Sequence, residues 1–170
     1  MEKRPALCKT LALFVLIVVA AGPASVRAAS GAAALQYYAG TWSCRAGVIG
    51  RPAVKSTVTY TFNSGLLHEW VDVPPQGKMT KPYLNSIAIS YDSERGNYVQ
   101  TGTDNQGFWW VSFAEPWTGK TEEWTNRVAS DNRIRRYQWV RISQNSYSFA
   151  EYPSLTATTP DFKGTCGRVP

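Results

Sequence analysis

Few residues of this chain have types and spacing that could do chemistry. His68 is the sole histidine, on a stretch whose alternation puts Trp70 and Asp72 on its own face and Glu69 on the other. A histidine so placed could accept a proton, ligate a metal or haem, or hydrogen-bond a ligand; a structural or surface role is the plain alternative. Glu69 and Asp72 point to opposite faces, which argues against a paired-carboxylate acid–base site. The sequence has no Gly-x-Ser-x-Gly, no second histidine, no glycine-rich phosphate loop and no Asn-x-Ser/Thr sequon. Catalysis through His68 with a neighbouring Tyr or Asp is therefore the weakest functional reading. No catalytic residue, metal or cofactor is assigned.

Aromatic residues carry the main compositional signal: seven Trp, nine Tyr and six Phe, spread over most of the chain. Several of them facing one cavity would form a stacking wall for a flat or apolar ligand, whereas filling a core is the simpler use of each. Trp109 and Trp110 must face opposite ways on a regular strand, so at most one lines an interior. Arg133, Arg135 and Arg141 share a face with Tyr137 and Trp139, and Arg136 lies opposite. That cluster reads as a solvated strand face, or, with Arg136 turned inward, as a contact for an anionic ligand. The candidate ligand-binding residues are Tyr60, His68, Trp70, Trp110 and Arg136.

The elements that position these groups begin after a targeting segment. Lys3, Arg4 and Lys9 precede an unbroken apolar run of 11 residues, Leu11 to Ala21, then Gly22-Pro23 and small residues to Ala28. This is the layout of a secretory signal peptide, residues 1–28, too short for a comfortable membrane span. An uncleaved anchor is the competing reading. Its removal takes four of the 18 Lys+Arg and one of the 12 Asp+Glu, leaving 14 against 11, a net +3. So small a charge argues poorly for nucleic acid. The remaining ~142 residues suit one domain. Cys44 and Cys166 are then the only cysteines; a disulfide between them is the economical expectation in an exported protein, and two free thiols are the alternative. Neither has a second Cys or His nearby, unlike a metal site.

Residues 29–34 read as a short flexible arm, with one or two helical turns over 32–38. From Leu35 to the end at Pro170, period-two patterns dominate: Val58, Tyr60 and Phe62 alternate with Thr57, Thr59 and Thr61 before the turn Asn63-Ser64-Gly65. Similar runs recur at spacings of roughly 10 residues, about nine strands in all. Short turns favour up-and-down antiparallel connections, and closing the sheet into a barrel removes its edges. The expected fold is all-β, a single antiparallel up-and-down barrel of about nine strands over 35–170. A two-sheet sandwich is the runner-up.

Gly40-x-Trp42 on a first strand resembles the opening of lipocalins and the wider calycin superfamily. The segment Leu35-x-x-x-Ala39-Gly40-Thr41-Trp42-Ser43-Cys44, with Ser90-Tyr91-Asp92, Tyr98-Val99, Thr103-Asp104-Asn105-x-Gly107, Trp117-x-Gly119 and Trp124, is similar to secreted bacterial proteins of the lipocalin-like DUF1579 type. The resemblance implies a barrel whose interior can hold something, with Gly40 and Trp42 structural. It also implies a late-strand arginine, Arg141, packed over the Trp42 indole. Haem-binding nitrobindins resemble the opening too, but their proximal histidine is carboxyl-terminal, and this chain has no histidine after His68. The expected function is a periplasmic or secreted, non-catalytic barrel for a small apolar or aromatic molecule. The alternative is a periplasmic protein-interaction module, such as a protease inhibitor, whose arm enters a target. No nucleic acid and no membrane insertion after signal cleavage are expected.

Overall fold

The computed structural model describes residues 31–116 and 120–170. The expected signal peptide, the first two residues of the arm and the turn residues Trp117–Gly119 lie outside the described residues. Ten antiparallel strands follow one another around a closed barrel. They are β1 (Gly40–Val48), β2 (Val54–Asn63), β3 (Leu66–Val73), β4 (Tyr83–Asp92), β5 (Asn97–Asp104), β6 (Trp109–Ala114), β7 (Thr121–Ala129), β8 (Arg136–Ser143), β9 (Ser146–Tyr152) and β10 (Phe162–Arg168). Each strand pairs with the next in sequence, and β10 returns to β1 through Trp42↔Arg168 to Val48↔Phe162. The tenth strand is the one that alternation does not reveal. Its inward positions are Phe162, Gly164, Cys166 and Arg168, so glycine and charge interrupt the apolar period.

Local sequence explains the turns and bends. Ser64 and Gly65 both take positive φ, 50° and 82°, the conformation a two-residue hairpin needs to match strand twist. On β7 the register against β6 shifts between Ser112↔Asn126 and Val111↔Val128. The extra residue lets both Asn126 and Ala129 point inward and buries them.

One end of the barrel is closed by its own amino-terminal segment. Residues 31–35 form a helical turn and Gln36–Tyr38 a 3-10 turn, with Leu35 and Tyr38 fully buried. The segment expected as a flexible arm is thus, from Gly31 on, a plug. Its carbonyls are held by barrel side chains: Tyr98 Oη donates to Gly31 O (2.9 Å), Arg141 Nη2 to Ala34 O (2.7 Å) and Arg168 Nη2 to Tyr37 O (2.6 Å). A compact aromatic core lies above it, with Tyr38, Trp42, Tyr60, Trp139 and Tyr147 in ring contacts of 4.9–6.5 Å.

The Gly-x-Trp opening is explained by β10. The Arg168 guanidinium lies 4.2 Å from the Trp42 ring centroid and donates to the Ala39 carbonyl as well. Gly40 has φ 122°, and a Cβ there would stand 2.8 Å from Arg168 Nη1, so only glycine leaves the arginine its place. Trp42 Nε1 donates to Tyr38 O at 2.7 Å, fastening the indole to the plug. The cation over Trp42 is therefore Arg168, not Arg141. Arg141 instead covers Tyr37 at 4.3 Å, because β10 adjoins β1 whereas β8 lies two strands further round the barrel. Cys44 and Cys166 face each other in register at disulfide distance, S–S 1.99 Å, bridging positions 122 apart in sequence.

Candidate functional site

The inner wall is apolar over most of its length and is interrupted by a few buried polar groups. Glu69, Gln100, Ser112, Glu122 and Asn126 are all buried, and the longer loops 49–53, 74–82, 130–135 and 153–161 lie at the end opposite the plug. Register makes all of these groups but Glu122 neighbours: Leu67↔Ile89↔Gln100↔Ser112↔Asn126 runs across β3 to β7, and Glu69↔Ile87↔Gly102↔Trp110 runs beside it.

Glu69 sits on the core face of β3 with Leu67, Val71 and Val73, at 7% exposure. Tyr60 stands directly across the β2–β3 ladder from it, and Tyr147 Oη lies 3.0 Å from Tyr60 Oη. Glu69 Oε2 has no hydrogen-bond partner among the described residues. Burial, only partly offset by the nearby Tyr60 hydroxyl, pushes the Glu69 carboxyl up to about 8. The Tyr60 and Tyr147 hydroxyls are held above their ordinary range by burial first and by Glu69 beside them second. At neutral pH this is a neutral carboxylic acid in an aromatic setting, with one oxygen open to a partner.

Two glycines shape the wall around it. A Cβ at Gly102 would stand 2.2 Å from the Trp110 ring, and one at Gly164 would stand 2.4 Å from the Phe149 ring. Each ring therefore lies over the glycine of the neighbouring strand and fills the gap it leaves. Phe108 stacks on Trp110 at 5.5 Å. Deeper on the same side, Ser112 Oγ donates to Asn126 Oδ1, and Asn126 Nδ2 donates to the Tyr137 hydroxyl at 3.2 Å. Burial pushes that phenol up to about 12. Arg135 closes the rim between Glu151 (3.3 Å) and Asp131 (2.7 Å).

Of the candidate ligand residues, the structure brings Tyr60 and Trp110 to this interior. His68, Trp70 and Arg136 lie on the outer wall. His68 is exposed between Thr61 and Ala88. Trp70 is 49% exposed. Arg136 stacks on Tyr152 at 3.7 Å and pairs with Glu123 at 3.3 Å, so it meets no interior ligand; the face of β8 that enters the barrel is the one carrying Tyr137 and Trp139. Glu69, Gln100, Ser112 and Asn126 are the residues that sequence reasoning missed. Glu69 left a readable signal, an acid in phase with Leu67, Val71 and Val73. Among the described residues no group of His, Cys, Asp and Glu could hold a metal ion, and no helix is long and apolar enough to cross a membrane.

No protein-family model matches the chain, and no curated protein matches it. Among solved structures it is similar to a redesigned β-barrel, with 13% identity over 81% of this chain and 96% of the other, at a TM-score of 0.46. It is also similar to a de novo designed fluorescence-activating β-barrel, with 16% identity over 80% and 97%, at a TM-score of 0.43.

Proposed function

We propose that this protein is an exported, non-catalytic barrel that binds a small flat or apolar molecule in its interior, presenting a hydrogen-bond donor to Glu69. The observation that carries the reading is the buried Glu69 carboxyl with an unpartnered Oε2, in the same register row as Trp110, whose ring lies over Gly102. A buried acid without a full set of partners costs stability that a leucine or glutamine would not, and such local violations tend to mark function. Aromatic walls with a few placed polar groups are the usual make-up of small-molecule sites. Entry is from the end bearing the longer loops, since the plug occupies the other.

Intrinsic tryptophan fluorescence tests this directly. Titration with donor-bearing aromatics (indole, 1-naphthol) and donor-free ones (naphthalene) should quench emission, with the donor-bearing set binding more tightly. Glu69→Leu should remove that preference. Absence of any change at ligand saturation limits, together with no carried molecule in native mass spectra of protein from its own source, would sink the reading. A mature amino terminus at residue 29 is expected from that material.

A second reading, a periplasmic protein-interaction module such as a protease inhibitor, is favoured by Trp70 and Trp109, 49% and 45% exposed on one outer-wall row. Recovery of a stoichiometric protein partner that Trp70→Ala releases would support it over the first.

A further inference from the structure

Outside the barrel, the loop after β1 rises over the outer wall of β10, β9 and β8 and makes a trough of about 590 Å³. The floor is built from small outward side chains that register sets side by side: Thr165↔Ser148↔Val140 in one row and Gly47↔Lys163↔Ala150 in the next. Gly50, at φ 81°, lets the loop turn back, and Ile49 N–H bonds Asp161 O at 2.8 Å, which pins the loop across β10. Val48 and Ile49 remain 46% and 43% exposed at its edge.

Three cations, Arg45, Arg51 and Lys163, line this trough, and no carboxylate does. None of the three forms an ion pair among the described residues. Arg45 also stands directly across the β1–β2 ladder from Lys55, a like-charge pair that costs stability unless an anion lies near it. A floor of mostly small side chains that includes Val140 and Ala150, an apolar edge and uncompensated positive charge in one concavity fit an amphipathic anion. The volume falls in the range of small-molecule pockets.

We infer that the trough binds a free single-chain fatty carboxylate, its headgroup held by Arg45, Arg51 and Lys163 and its chain laid on Ala150 and Val140 beneath Ile49. This site is separate from the interior and independent of the function proposed for it. No tryptophan lines the trough, so binding here leaves tryptophan emission nearly unchanged.

The test is calorimetric titration of the full mature protein with sodium laurate below its micelle concentration, with acetate, dodecyl maltoside and dodecyltrimethylammonium as controls. Laurate is expected to bind one to one. Arg45→Gln/Lys163→Gln, two exposed substitutions whose fold is checked by circular dichroism, should weaken it by about tenfold or more, as should raised salt. Backbone amide shifts should centre on Gly47, Ala150 and Thr165. Equal binding of the maltoside would overturn the anionic headgroup, and equal binding of acetate would overturn the chain. Laurate binding that quenches tryptophan and ignores the double substitution would move the ligand to the interior. Binding to phosphatidylglycerol vesicles without binding to free laurate would replace the free anion by a membrane surface.

Discussion

Glu69→Gln should make the protein more stable, and by an amount that grows with pH. Glutamine keeps the shape and a carbonyl oxygen beside Tyr60 but cannot ionise. In the folded protein the Glu69 carboxyl is raised from 4.5 to about 8, so between those values it stays protonated while the same group in the unfolded chain ionises. The unfolded state therefore gains ionisation free energy that the folded state lacks. The wild-type stability is intact below the unfolded value, falls as pH rises, and stops falling once the folded carboxyl also ionises. At about 1.4 kcal/mol for each unit of difference, the accumulated loss is about 1 kcal/mol at pH 5, about 3 kcal/mol at pH 7 and about 5 kcal/mol at pH 9. Urea unfolding of both proteins at these three pH values, followed by circular dichroism, measures the gap, and other titrating groups cancel in the difference. A fixed cost for burying the glutamine amide offsets all three points equally. A gap that is flat from pH 5 to 9 would show that Glu69 is ionised or solvated in the folded state, and the neutral interior acid would have to be abandoned.

Three further outcomes follow from the packing. Cys44→Ala/Cys166→Ala should cost about 4–5 kcal/mol by denaturant unfolding, because the bridge joins positions 122 apart and restrains most of the unfolded chain; a loss under about 1 kcal/mol would show that the ladder between β1 and β10 already limits unfolding. Arg168→Gln should cost about 2–4 kcal/mol, since it removes the cation over Trp42 and two bonds to plug carbonyls, whereas Arg136→Gln on the outer wall should cost about 0–1 kcal/mol. Equal effects of the two would refute the plug assignment. Gly102→Ala should cost about 1–3 kcal/mol and red-shift tryptophan emission as Trp110 is forced off the wall; unchanged emission would place that indole elsewhere.

Parity along each strand was legible in the sequence, and the direction of each face was not. Alternation correctly separates Arg136 from Tyr137 and Trp139, and His68 and Trp70 from Glu69. It does not say which set a closed barrel turns inward, because that depends on partners as far apart in the chain as β1 and β10. On β3 the face with a histidine and a tryptophan looks like the ligand face. The structure buries the other, since three aliphatic residues remove more apolar area from water than one indole standing among polar neighbours. On β8 the arginine-rich face enters the barrel because Arg135 finds Glu151 and Asp131 at the rim and Arg141 reaches the Ala34 carbonyl at the plug. Both arginines sit at the ends of the inward row, where their heads keep polar partners while Tyr137 and Trp139 fill the middle.

The residues that broke the pattern are also the ones that shape the interior. Gly102 and Gly164 weaken their strands by the usual measure, and Gly164 hides β10 from any search for alternation. In the barrel each is the small member of a cross-strand pair whose large member is a ring, Trp110 or Phe149. A sheet closed by ten strands encloses a wider lumen than eight would, and the rings folded onto glycine lie along its wall. A core that only needed filling would carry alanine or valine at those glycines and project the rings inward. The same reasoning applies to Glu69, whose replacement by leucine would extend the apolar row Leu67, Val71 and Val73 unbroken. Two rings held flat to the wall and the Glu69 acid kept where it costs stability are the features on which the proposed binding function rests.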